Sequence, residues 1–414
     1  MNIVSINTTH RGSTGKIMLA ISDYARQHGN TAVTFSTTSI TISPKKLKLS
    51  KPEKLSNILG HNYYGGYYSN LKHICIGILS GKNGCFSHRA TRKLIAQINA
   101  IHPDLIHLHN IHGFCLNIPM LFSYFKKQQI PVIWTLHDCW SFTGRCAYFD
   151  MAQCDRWKTG CGECRIAKNE YPASYIDRSA WMWGKKKTWF SNLPSLVLVT
   201  PSQWLAALVG ESFLGQYPIR VIHNGIDLNV FRPTEGDFRR RYRIPDSMPI
   251  LLGVSFSWGI RKGIDVFQKL AERLKDEMQI VLVGTTDAVD ATLPDHVITI
   301  HRTDSQKELA ELYSAADVFV NPTREDNYPT VNMEAIACGT PVVTFDTGGS
   351  PEALGDDCGI VTPQDDIDAL MEAIRRILAD PEPWRRACLC RAKEFDQNDR
   401  FAEYLELFQS MCTK

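Results

Sequence analysis

The stretch that decides the fold covers residues 318–349 and reads VFVNPTREDNYPTVNMEAIACGTPVVTFDTGG. An apolar strand at 318–320 enters a polar loop, a short helix begins near Thr330 and ends at Gly339, and Pro341 opens a second strand. This order predicts a βαβ unit whose loop lies at the carboxyl end of the first strand. The helix amino terminus offers backbone N–H groups and the positive end of the helix dipole, which favour a bound diphosphate.

Two acidic residues of this unit are candidates for contact with a nucleotide. Glu334 falls about one turn inside the helix, where its carboxylate can accept hydrogen bonds from two neighbouring ribose hydroxyls. Asp326 precedes Glu334 by eight positions and lies at the loop entrance. The predicted donor site also includes residues of the loop and the helix start, namely Asn327, Tyr328, Thr330 and Val331.

This arrangement resembles the Glu-x7-Glu signature of retaining nucleotide-sugar glycosyltransferases with the GT-B fold, known as glycosyltransferase family four or group 1. Asp326 stands in place of the first glutamate, Glu334 is the second, and residues 335–343 are similar to the family's usual continuation. Asp326 is one methylene shorter than glutamate. Pro329 lies where family members often carry glycine, which removes one N–H donor. The resemblance implies an α/β protein of GT-B architecture, with two Rossmann-like doubly wound parallel-sheet domains facing a cleft.

Length and composition limit the classes of protein to which this chain can belong. At 414 residues and 44% hydrophobic content, the chain can fill two or three domains. The 46 basic and 43 acidic residues nearly cancel, so charge gives no case for a nucleic-acid partner. The first residues read as a strand and no apolar run is long enough for a membrane span, so neither a signal peptide nor a transmembrane helix is expected.

Strand and helix patterns alternate through two successive halves, which predicts parallel sheets covered by helices on both faces. We expect an N-terminal Rossmann-like domain on the acceptor side over residues 1–230, with a cysteine-rich insertion at about 139–170. A C-terminal Rossmann-like domain that binds the nucleotide sugar is expected over 231–394. By resemblance to the family, the helical segment 395–414 is expected to pack back on the N-terminal domain.

A glycine-rich loop follows the first strand and contains Gly12, Ser13 and Gly15. A P-loop requires the spacing G-x4-G-K-[ST], and Ile17 follows the lysine here, so a Walker nucleotide site is not expected. The loop resembles the one that many GT-B transferases place near the donor phosphate and the acceptor. The resemblance therefore adds these three residues to the donor site, and an ordinary tight turn is the alternative.

Two adjacent cations, Arg261 and Lys262, lie where the first strand of the second half leads into a helix. Cations are disfavoured at a helix start, so the pair indicates an anionic ligand. The segment resembles the family's Gly-Arg…Lys-Gly diphosphate clamp, in which Lys262 matches the lysine and the usual arginine position falls at Ser257. We therefore assign Arg261 as the substitute, and the alternative is a pair of solvated surface charges.

His137 ends a strand of the first half, at its carboxyl edge. In the resembling family, a histidine here lies near the acceptor and the transferred sugar, so His137 is the candidate from this domain, with a structural histidine as the alternative. His107 and His109 lie on an apolar strand, where a core or wall role is expected rather than metal binding.

Four cysteines, Cys146, Cys154, Cys161 and Cys164, follow His137 with the spacing C-x7-C-x6-C-x2-C. The C-x2-C half suits one metal ion, and two further thiolates would complete a tetrahedral structural zinc site. A cysteine-rich surface loop without metal is the alternative. The run from residue 134 to 164 closely resembles bacterial exopolysaccharide transferases of the colanic-acid type.

A basic and aromatic segment precedes residue 70 and predicts either a membrane-surface patch or a solvated insertion. Its residues are Lys45, Lys46, Lys48, Lys51, Lys54, Tyr63, Tyr64, Tyr67 and Tyr68.

The resemblance implies a metal-independent, retaining hexosyltransferase-type glycosyltransferase, whose catalytic residues are His137, Asp326 and Lys262. It would move a sugar from a UDP- or GDP-sugar to a surface-polysaccharide or polyprenyl-diphosphate-linked acceptor, such as an exopolysaccharide, lipopolysaccharide or capsule precursor. The expected location is the cytoplasm, with peripheral contact at the inner face of the cytoplasmic membrane. Two alternatives stay open: a GT-B nucleotide-sugar epimerase, and a non-catalytic zinc-containing binding protein on a transferase scaffold.

Overall fold

The computed structural model describes residues 1–37, 59–165 and 174–413. Its elements form two compact units. The N-terminal unit consists of Met1–Ile222 with Phe401–Lys414, and the C-terminal unit consists of His223–Arg400. Residues 223–230 and 395–400, which we assigned to the first domain and the final helix, therefore belong to the C-terminal unit. The reason is a backbone pairing: Ile226 N–H donates to Phe395 O at 2.8 Å, and Gln397 N–H donates to Ile226 O at 3.0 Å.

The N-terminal unit is built on a seven-stranded parallel sheet. Its strands are β1 (Asn2–Ile6), β2 (Thr31–Thr37), β3 (His61–Gly65), β4 (Leu105–Leu108), β5 (Val132–Thr135), β6 (Leu196–Thr200) and β7 (Ile219–Val221). They are ordered β3-β2-β1-β4-β5-β6-β7. The central strands are buried almost throughout, as expected of a parallel sheet with helices on both faces.

Six helices connect these strands: α1 (Gly12–Gln27), α2 (Tyr67–Ser80), α3 (His88–Ile101), α4 (Ile118–Gln128), α5 (Ser179–Phe190) and α6 (Gln203–Glu211). Side chains fix two of their starts. Asn117 accepts a hydrogen bond from Met120 N–H at the start of α4, and Ser202 accepts one from Leu205 N–H at the start of α6.

The C-terminal unit carries a six-stranded parallel sheet in the order β10-β9-β8-β11-β12-β13. Its strands are β8 (Ile250–Val254), β9 (Gln279–Val283), β10 (Ile298–Ile300), β11 (Val318–Asn321), β12 (Val342–Phe345) and β13 (Gly359–Thr362). Its helices are α7 (Phe238–Arg241), α8 (Ile264–Leu274), α9 (Asp287–Asp290), α10 (Gln306–Ala315), α11 (Thr330–Ala337), α12 (Ile367–Ala379) and α13 (Pro381–Arg391). The strand predicted at 318–320 is confirmed as β11, and Pro341 directly precedes β12, as predicted.

The last helix, α14 (Gln397–Cys412), packs on the N-terminal unit. Phe401, Tyr404 and Phe408 are buried in one hydrophobic cluster with residues of β1 and β5, among them Ile3 and Ile133. Their spacing places all three aromatic rings on one face of the helix. Apolar burial of this face holds the end of the chain on the N-terminal sheet.

Both units therefore have the doubly wound, Rossmann-like architecture that the sequence predicts, and the fold class is confirmed. Among the residues that the structure describes, no helix is both long and apolar enough to cross a membrane.

Candidate active site

The C-terminal sheet has a topological switch point between β8 and β11, because the chain proceeds from β8 to β9 on one side and from β11 to β12 on the other. Ligands of such sheets bind outside the carboxyl ends of the strands at this point. Arg261 and Lys262 lie in the segment after β8, and Asp326 lies in the segment after β11. The topology thus brings two predicted clusters to one edge.

Lys262 and Asp326 form an ion pair at this edge. The Lys262 ammonium donates to Asp326 Oδ2, and the two side chains are 20% and 16% exposed. A partly exposed ammonium beside a carboxylate can turn towards an incoming diphosphate, while the carboxylate remains to accept a hydroxyl of the sugar. The two residues that we assigned separately to phosphate and sugar are therefore in direct contact.

Arg261 joins the same loop through its backbone and its side chain. Its guanidinium Nη1 donates to Glu325 O at 3.1 Å, and its carbonyl accepts a hydrogen bond from Arg324 N–H at 2.9 Å. Because these bonds fix the segment after β8 against the segment after β11, Arg261 and Lys262 present two cations on a shared support.

Arg324 is the support that the sequence analysis missed. Its guanidinium is 8% exposed and donates to both Asp265 carboxylate oxygens at 2.8 and 2.7 Å, and to Asp365 Oδ1 at 2.8 Å. The hydrogen bond to Asp265 is the main cause that raises the pKa of Arg324 and lowers the pKa of Asp265. Arg324 therefore links α8 to the loop. In the sequence, Arg324 appears only as another charged residue near Asp326.

Two glycines allow the backbones of this edge to approach closely. Gly263 has a φ of +73°, and a Cβ there would lie 2.4 Å from Pro322 O. Gly348 has a φ of +59°, and a Cβ there would lie 2.0 Å from Asp326 O. Gly349 N–H donates to the same Asp326 carbonyl at 3.2 Å. Glycine at 348 thus sets the position of Asp326.

The start of α11 is open to a ligand. The residue before the helix is Pro329, and no side chain caps the first turn, in which Thr330 and Val331 are partly exposed. An anion at this point meets uncapped N–H groups and the positive end of the dipole. Asn327 N–H instead donates to Asp326 Oδ1 at 3.0 Å, so this N–H orients the carboxylate.

Tyr328 does not offer its side chain to the donor. Its ring is 5% exposed, belongs to the hydrophobic core of the C-terminal unit and stacks on His223 with ring centroids 4.7 Å apart. Burial raises the pKa of the Tyr328 phenol above 10.0. Tyr328 was predicted at the donor site because it lies in the polar loop, and only its backbone can serve the predicted role.

Glu334 is held by a residue that the sequence analysis did not identify. Tyr313 on α10 is fully buried, and its hydroxyl donates to Glu334 Oε2 at 3.1 Å. Thr340 Oγ1 in turn donates to the Tyr313 carbonyl. Glu334 itself is partly exposed, so the phenol fixes the rotamer of the carboxylate without enclosing it. Tyr313 precedes Glu334 by 21 positions, and no local pattern connects them.

A buried polar network lies beneath α11. Asn321 Nδ2 donates to Asn332 Oδ1 at 2.8 Å, and Asn332 Nδ2 donates to Ser350 O and Oγ at 3.0 and 3.1 Å. Thr344 lies 2.8 Å from the same hydroxyl and donates to Asn321 O. Satisfied buried networks are rigid, so this one fixes α11 to the ends of β11 and β12.

The N-terminal unit has its own switch point between β1 and β4. The two following loops touch there, because Thr8 donates through its N–H and its hydroxyl to Asn110 O at 2.7 and 2.8 Å. Gly12 and Ser13 are the exposed first residues of α1. Gly15 is buried, and a Cβ there would lie 2.4 Å from His10 C, so this glycine is needed for packing.

His137 belongs to a row of histidines at the carboxyl edge of β4 and β5. His109 Nδ1 lies 3.0 Å from His137 Nε2, the two rings are stacked, and the His107 ring is 4.2 Å from that of His109. His107 and His109 are fully buried and His137 is partly exposed. The buried pair therefore supports His137, which is the member of the row that a substrate can reach.

The histidine row is neutral near pH 7. Burial lowers the pKa of His107 to about 3 and that of His137 to about 4, and burial also lowers the pKa of His109. Asp138 acts in the opposite direction on His137 but does not restore its pKa. A neutral imidazole can exchange hydrogen bonds with a sugar hydroxyl but supplies no charge to a leaving group.

The loop after His137 is fixed by its aspartate. Asp138 Oδ2 lies 2.9 Å from His112 Nε2, and Asp138 Oδ1 accepts a hydrogen bond from Trp140 N–H at 2.9 Å. Burial opposes ionisation of Asp138, yet His112 and the Trp140 N–H lower its pKa below 3.8 overall. The charged form of Asp138 is thus the form that the fold favours.

The four cysteines of the insertion line one cavity of about 140 Å³. All four are thiols rather than disulfide sulfurs. Within the described ranges, the only trio of His, Cys, Asp or Glu side chains with ligand atoms inside 4.8 Å is Asp287, Asp290 and His301, so no three cysteine sulfurs are that close. The structure brings the cysteines to one cavity but leaves them wider apart than zinc ligands.

The prediction of a membrane-surface patch before residue 70 can be compared with the structure only in part. Its five lysines lie outside the described residues. Tyr64 is a core residue of β3, since it is 2% exposed, its hydroxyl donates to Asn7 O, and it lies 3.3 Å from Cys115 Sγ. Tyr68 is 83% exposed on α2. The tyrosines therefore do not form one surface.

Two family models match this chain. Residues 60–230 match the model described as Glycosyltransferase Family 4, and residues 249–380 match the model described as Glycosyl transferases group 1. The first match lies in the N-terminal unit except for its last eight residues, 223–230, and the second covers the switch point that carries Lys262 and Asp326.

The chain belongs to the GT-B glycosyltransferases.

This glycosyltransferase is 26% identical over 327 residues to a putative colanic acid biosynthesis glycosyl transferase, WcaC, of Escherichia coli K12. The alignment covers 75% of this chain and 77% of WcaC. A D-inositol 3-phosphate glycosyltransferase of Mycolicibacterium paratuberculosis is 32% identical over 181 residues, which cover 40% of each chain. These relatives confirm the expected family.

Solved glycosyltransferase structures share the fold at low identity. A sucrose-phosphate synthase from Thermosynechococcus elongatus has a TM-score of 0.72 at 20% identity and covers 99% of this chain and 98% of its own. Anabaena HepE, in complex with UDP, has a TM-score of 0.66 at 14% identity, covering 99% and 100%. WaaG, a glycosyltransferase involved in lipopolysaccharide biosynthesis, has a TM-score of 0.64 at 14% identity, covering 98% and 99%. These likenesses support the architecture of both units.

Proposed function

We propose that this glycosyltransferase moves a sugar, with retention of configuration, from a UDP- or GDP-sugar to a saccharide or polyprenyl-diphosphate-linked acceptor in the synthesis of a surface polysaccharide. Similarity to a colanic acid biosynthesis transferase over three quarters of the chain supports the polysaccharide product. Structural neighbours solved with UDP and with UDP-glucose support a nucleotide-sugar donor. The proposed hexosyl transfer needs no catalytic metal.

The observation that carries the proposal is the arrangement at the switch point of the C-terminal unit. Lys262 and Arg261 supply two cations, and α11 supplies an uncapped amino terminus beside the loop that both cations contact. A diphosphate matches this combination, because it brings two negative groups that accept hydrogen bonds from both sources.

In the proposed reaction, the bond between the anomeric carbon and the diphosphate oxygen breaks, and the acceptor oxygen forms a new bond on the same face. The leaving phosphate oxygen takes the acceptor proton, so no protein nucleophile is required. Lys262 and Arg261 stabilise the charge that develops on the diphosphate. Asp326 orients the transferred sugar, and Glu334 binds the ribose.

His137 is proposed to bind the acceptor. Its neutral state and its contact with His109 suit a hydrogen bond to a saccharide hydroxyl. The Asp138 carboxylate, held by His112 and Trp140, keeps the following loop in place. His137 thus contributes orientation rather than charge.

A thermal-shift screen followed by a transfer assay tests the function. Binding of a cognate UDP-, GDP- or dTDP-sugar raises the melting temperature, because a ligand that binds only the folded state stabilises it. The cognate donor and a lipid-linked acceptor should then yield a product whose anomeric configuration, read by NMR, equals that of the donor. An inverted product would refute retention.

The same assays distinguish transfer from the two alternatives, the nucleotide-sugar epimerase and the non-catalytic binding protein. Formation of a new nucleotide-sugar epimer from the donor alone would favour the epimerase. Failure of every nucleotide sugar to raise the melting temperature, at concentrations well above a plausible dissociation constant, would favour the binding protein.

We expect Glu334→Gln to raise the donor KM while kcat changes little, because ribose contacts are equal in the ground and transition states. Steady-state kinetics with varied donor measure both constants. Tyr313→Phe is the matched variant: it keeps the carboxylate and removes the hydrogen bond that positions it, so a smaller rise in the same constant is expected. If kcat collapses in Glu334→Gln at constant KM, Glu334 acts on the reacting sugar instead.

We also propose that the enzyme contacts the inner face of the cytoplasmic membrane through α2 and α5. Lys82 and Lys185 lie 5.1 and 5.7 Å from the Trp181 ring. Apolar side chains next to them are exposed by 47–71%, namely Leu79, Tyr175 and Ile176. Lysines around aromatic and apolar side chains are typical of surfaces that bind anionic lipid.

Vesicle sedimentation tests this membrane surface. The wild-type protein should sediment with phosphatidylglycerol vesicles and less with phosphatidylcholine vesicles. The double variant Lys82→Glu with Lys185→Glu should lose about 3 kcal/mol or more of binding to the anionic vesicles, at about 1 kcal/mol per cation and more for the reversed sign. Equal sedimentation of variant and wild type would place the contact elsewhere.

A further inference from the structure

The loop that carries the cysteine cavity of the N-terminal unit packs on buried aromatic side chains. Trp157 is 1% exposed and packs its ring against those of Phe142 and Phe149, each at 5.1 Å. Trp183 on α5 donates through its indole N–H to Trp157 O at 2.9 Å. The rim turns at Gln153 and Glu163, both with positive φ. Cys146 belongs to the same hydrophobic cluster as these rings, and Cys154 and Cys161 pack against it.

One thiol already accepts the kind of hydrogen bond that stabilises a thiolate. Gly144 N–H donates to Cys161 Sγ at 3.1 Å. Cys164 N–H donates to Asp177 Oδ2 at 2.8 Å, which anchors the C-x2-C turn to the segment before α5. Cys161 and Cys164 are therefore each hydrogen-bonded to a different neighbouring segment.

A buried cation faces the same cluster. Lys186 on α5 is fully buried, and its ammonium donates to Thr143 O at 3.0 Å and to Trp140 O. Thr143 is followed by Gly144, whose N–H donates to Cys161 Sγ at 3.1 Å, so the Lys186 ammonium lies beside the cysteine cluster. A buried ammonium without a counter-charge is costly, so a negative charge in the cavity would stabilise it.

We propose that Cys146, Cys154, Cys161 and Cys164 bind one Zn²⁺ as a tetrathiolate, and that Lys186 is its buried counter-cation. Four thiols each lose a proton on binding, and four thiolates with one Zn²⁺ carry a net charge of two minus. The negative charge of the zinc site would attract the Lys186 ammonium. Zinc fits better than a hard cation such as Mg²⁺, because thiolates are soft ligands and four of them give its tetrahedral geometry.

Zinc binding should draw the rim inward. The sulfurs are more widely spaced here than around a zinc ion, where the Zn–S bond is about 2.3 Å. The rings of Phe142, Phe149 and Trp157 are already packed against one another. We therefore expect zinc binding to move the turns at Gln153 and Glu163. Since Lys186 also binds Trp140 O in the loop after His137, the metal stiffens that loop without an open position for chemistry.

Metal content is the first test. Protein purified without chelator should contain about one zinc per chain by elemental analysis. Cys161→Ser and Cys164→Ser should lose most of it, whereas Cys75→Ser, at an exposed cysteine on α2, should keep it. Co²⁺ added after chelation should give the strong visible absorption of a tetrahedral thiolate site. Iron in place of zinc, or four freely reactive thiols without metal, would overturn the proposal.

Lys186→Gln tests the counter-cation separately from folding, because glutamine keeps hydrogen-bond donors and loses only the charge. We expect its zinc affinity, measured by competition with a chelator, to fall by about 10- to 100-fold, the usual effect of removing an outer partner of a metal site. Lys185→Gln, at the exposed neighbouring position on α5, should leave the affinity unchanged. Equal zinc affinity of Lys186→Gln and wild type would remove Lys186 from the site.

Discussion

Replacing Lys262 with alanine should lower the rate of sugar transfer by about two to three orders of magnitude. The reason is that one preorganised donor to a developing anion contributes roughly 3–4 kcal/mol to transition-state stabilisation. The fold should be intact, because the side chain is 20% exposed and its ion-pair partner Asp326 is also partly exposed. Steady-state kinetics at saturating donor and acceptor measure the loss, and a melting curve checks the fold.

The matched control is Lys269→Ala. Lys269 is an exposed lysine of α8, the helix that follows Lys262, so this variant makes the same change of net charge on the adjacent element. Its turnover should stay near that of the wild type. Near-normal turnover of Lys262→Ala, with an unchanged melting temperature, would remove Lys262 from the mechanism.

The secondary structure around the site could be predicted from the sequence because its signals are local. Buried strands of a parallel sheet read as short apolar runs, and Gly339 and Pro341 mark the end of α11 and the start of β12. All six strands of the C-terminal unit follow from such runs. Helix α5 was not predicted, since SAWMWGKKKTWF mixes aromatic and basic residues with almost no helical periodicity.

The contacts that form the site could not be predicted from the sequence, because they join segments that are distant along the chain. Lys262 and Asp326 are 64 positions apart, and a single sequence gives each a role without indicating that they pair. Arg324 shows the same limit. It lies two residues from Asp326, and only the structure shows that Asp265 and Asp365 occupy its guanidinium.

The direction in which a side chain points was the second property that could not be predicted from the sequence. Tyr328 lies in a polar loop, and a loop residue is expected to face solvent or a ligand. Its ring instead packs on His223 in the core. Tyr313 shows the reverse case, since an aromatic residue on an amphipathic helix reads as core, yet its hydroxyl reaches Glu334. Tyrosine has both an apolar ring and a polar tip, so its type does not indicate which one serves the site.

Gly348→Ala should lower kcat/KM by about 100-fold although residue 348 carries no side chain that could touch a substrate. A Cβ at this position would lie 2.0 Å from Asp326 O, so the loop that carries Asp326 must move. A displacement of about 1 Å in a reacting constellation costs about 100-fold in rate. The variant should also lose about 1–3 kcal/mol of stability, since alanine is strained at a φ of +59°.

Gly355→Ala separates the displacement from the strain. Gly355 has a φ of +60°, but a Cβ there would meet nothing closer than Arg391 at 3.7 Å. Both variants should lose stability in urea unfolding because both place alanine in the left-handed region, and Gly348→Ala should lose more because its Cβ also clashes with the Asp326 backbone. Only Gly348→Ala should lose activity under conditions where both are folded. Equal activities of the two variants would mean that the position of Asp326 does not limit transfer, and Asp326 would then lose its role at the reacting sugar.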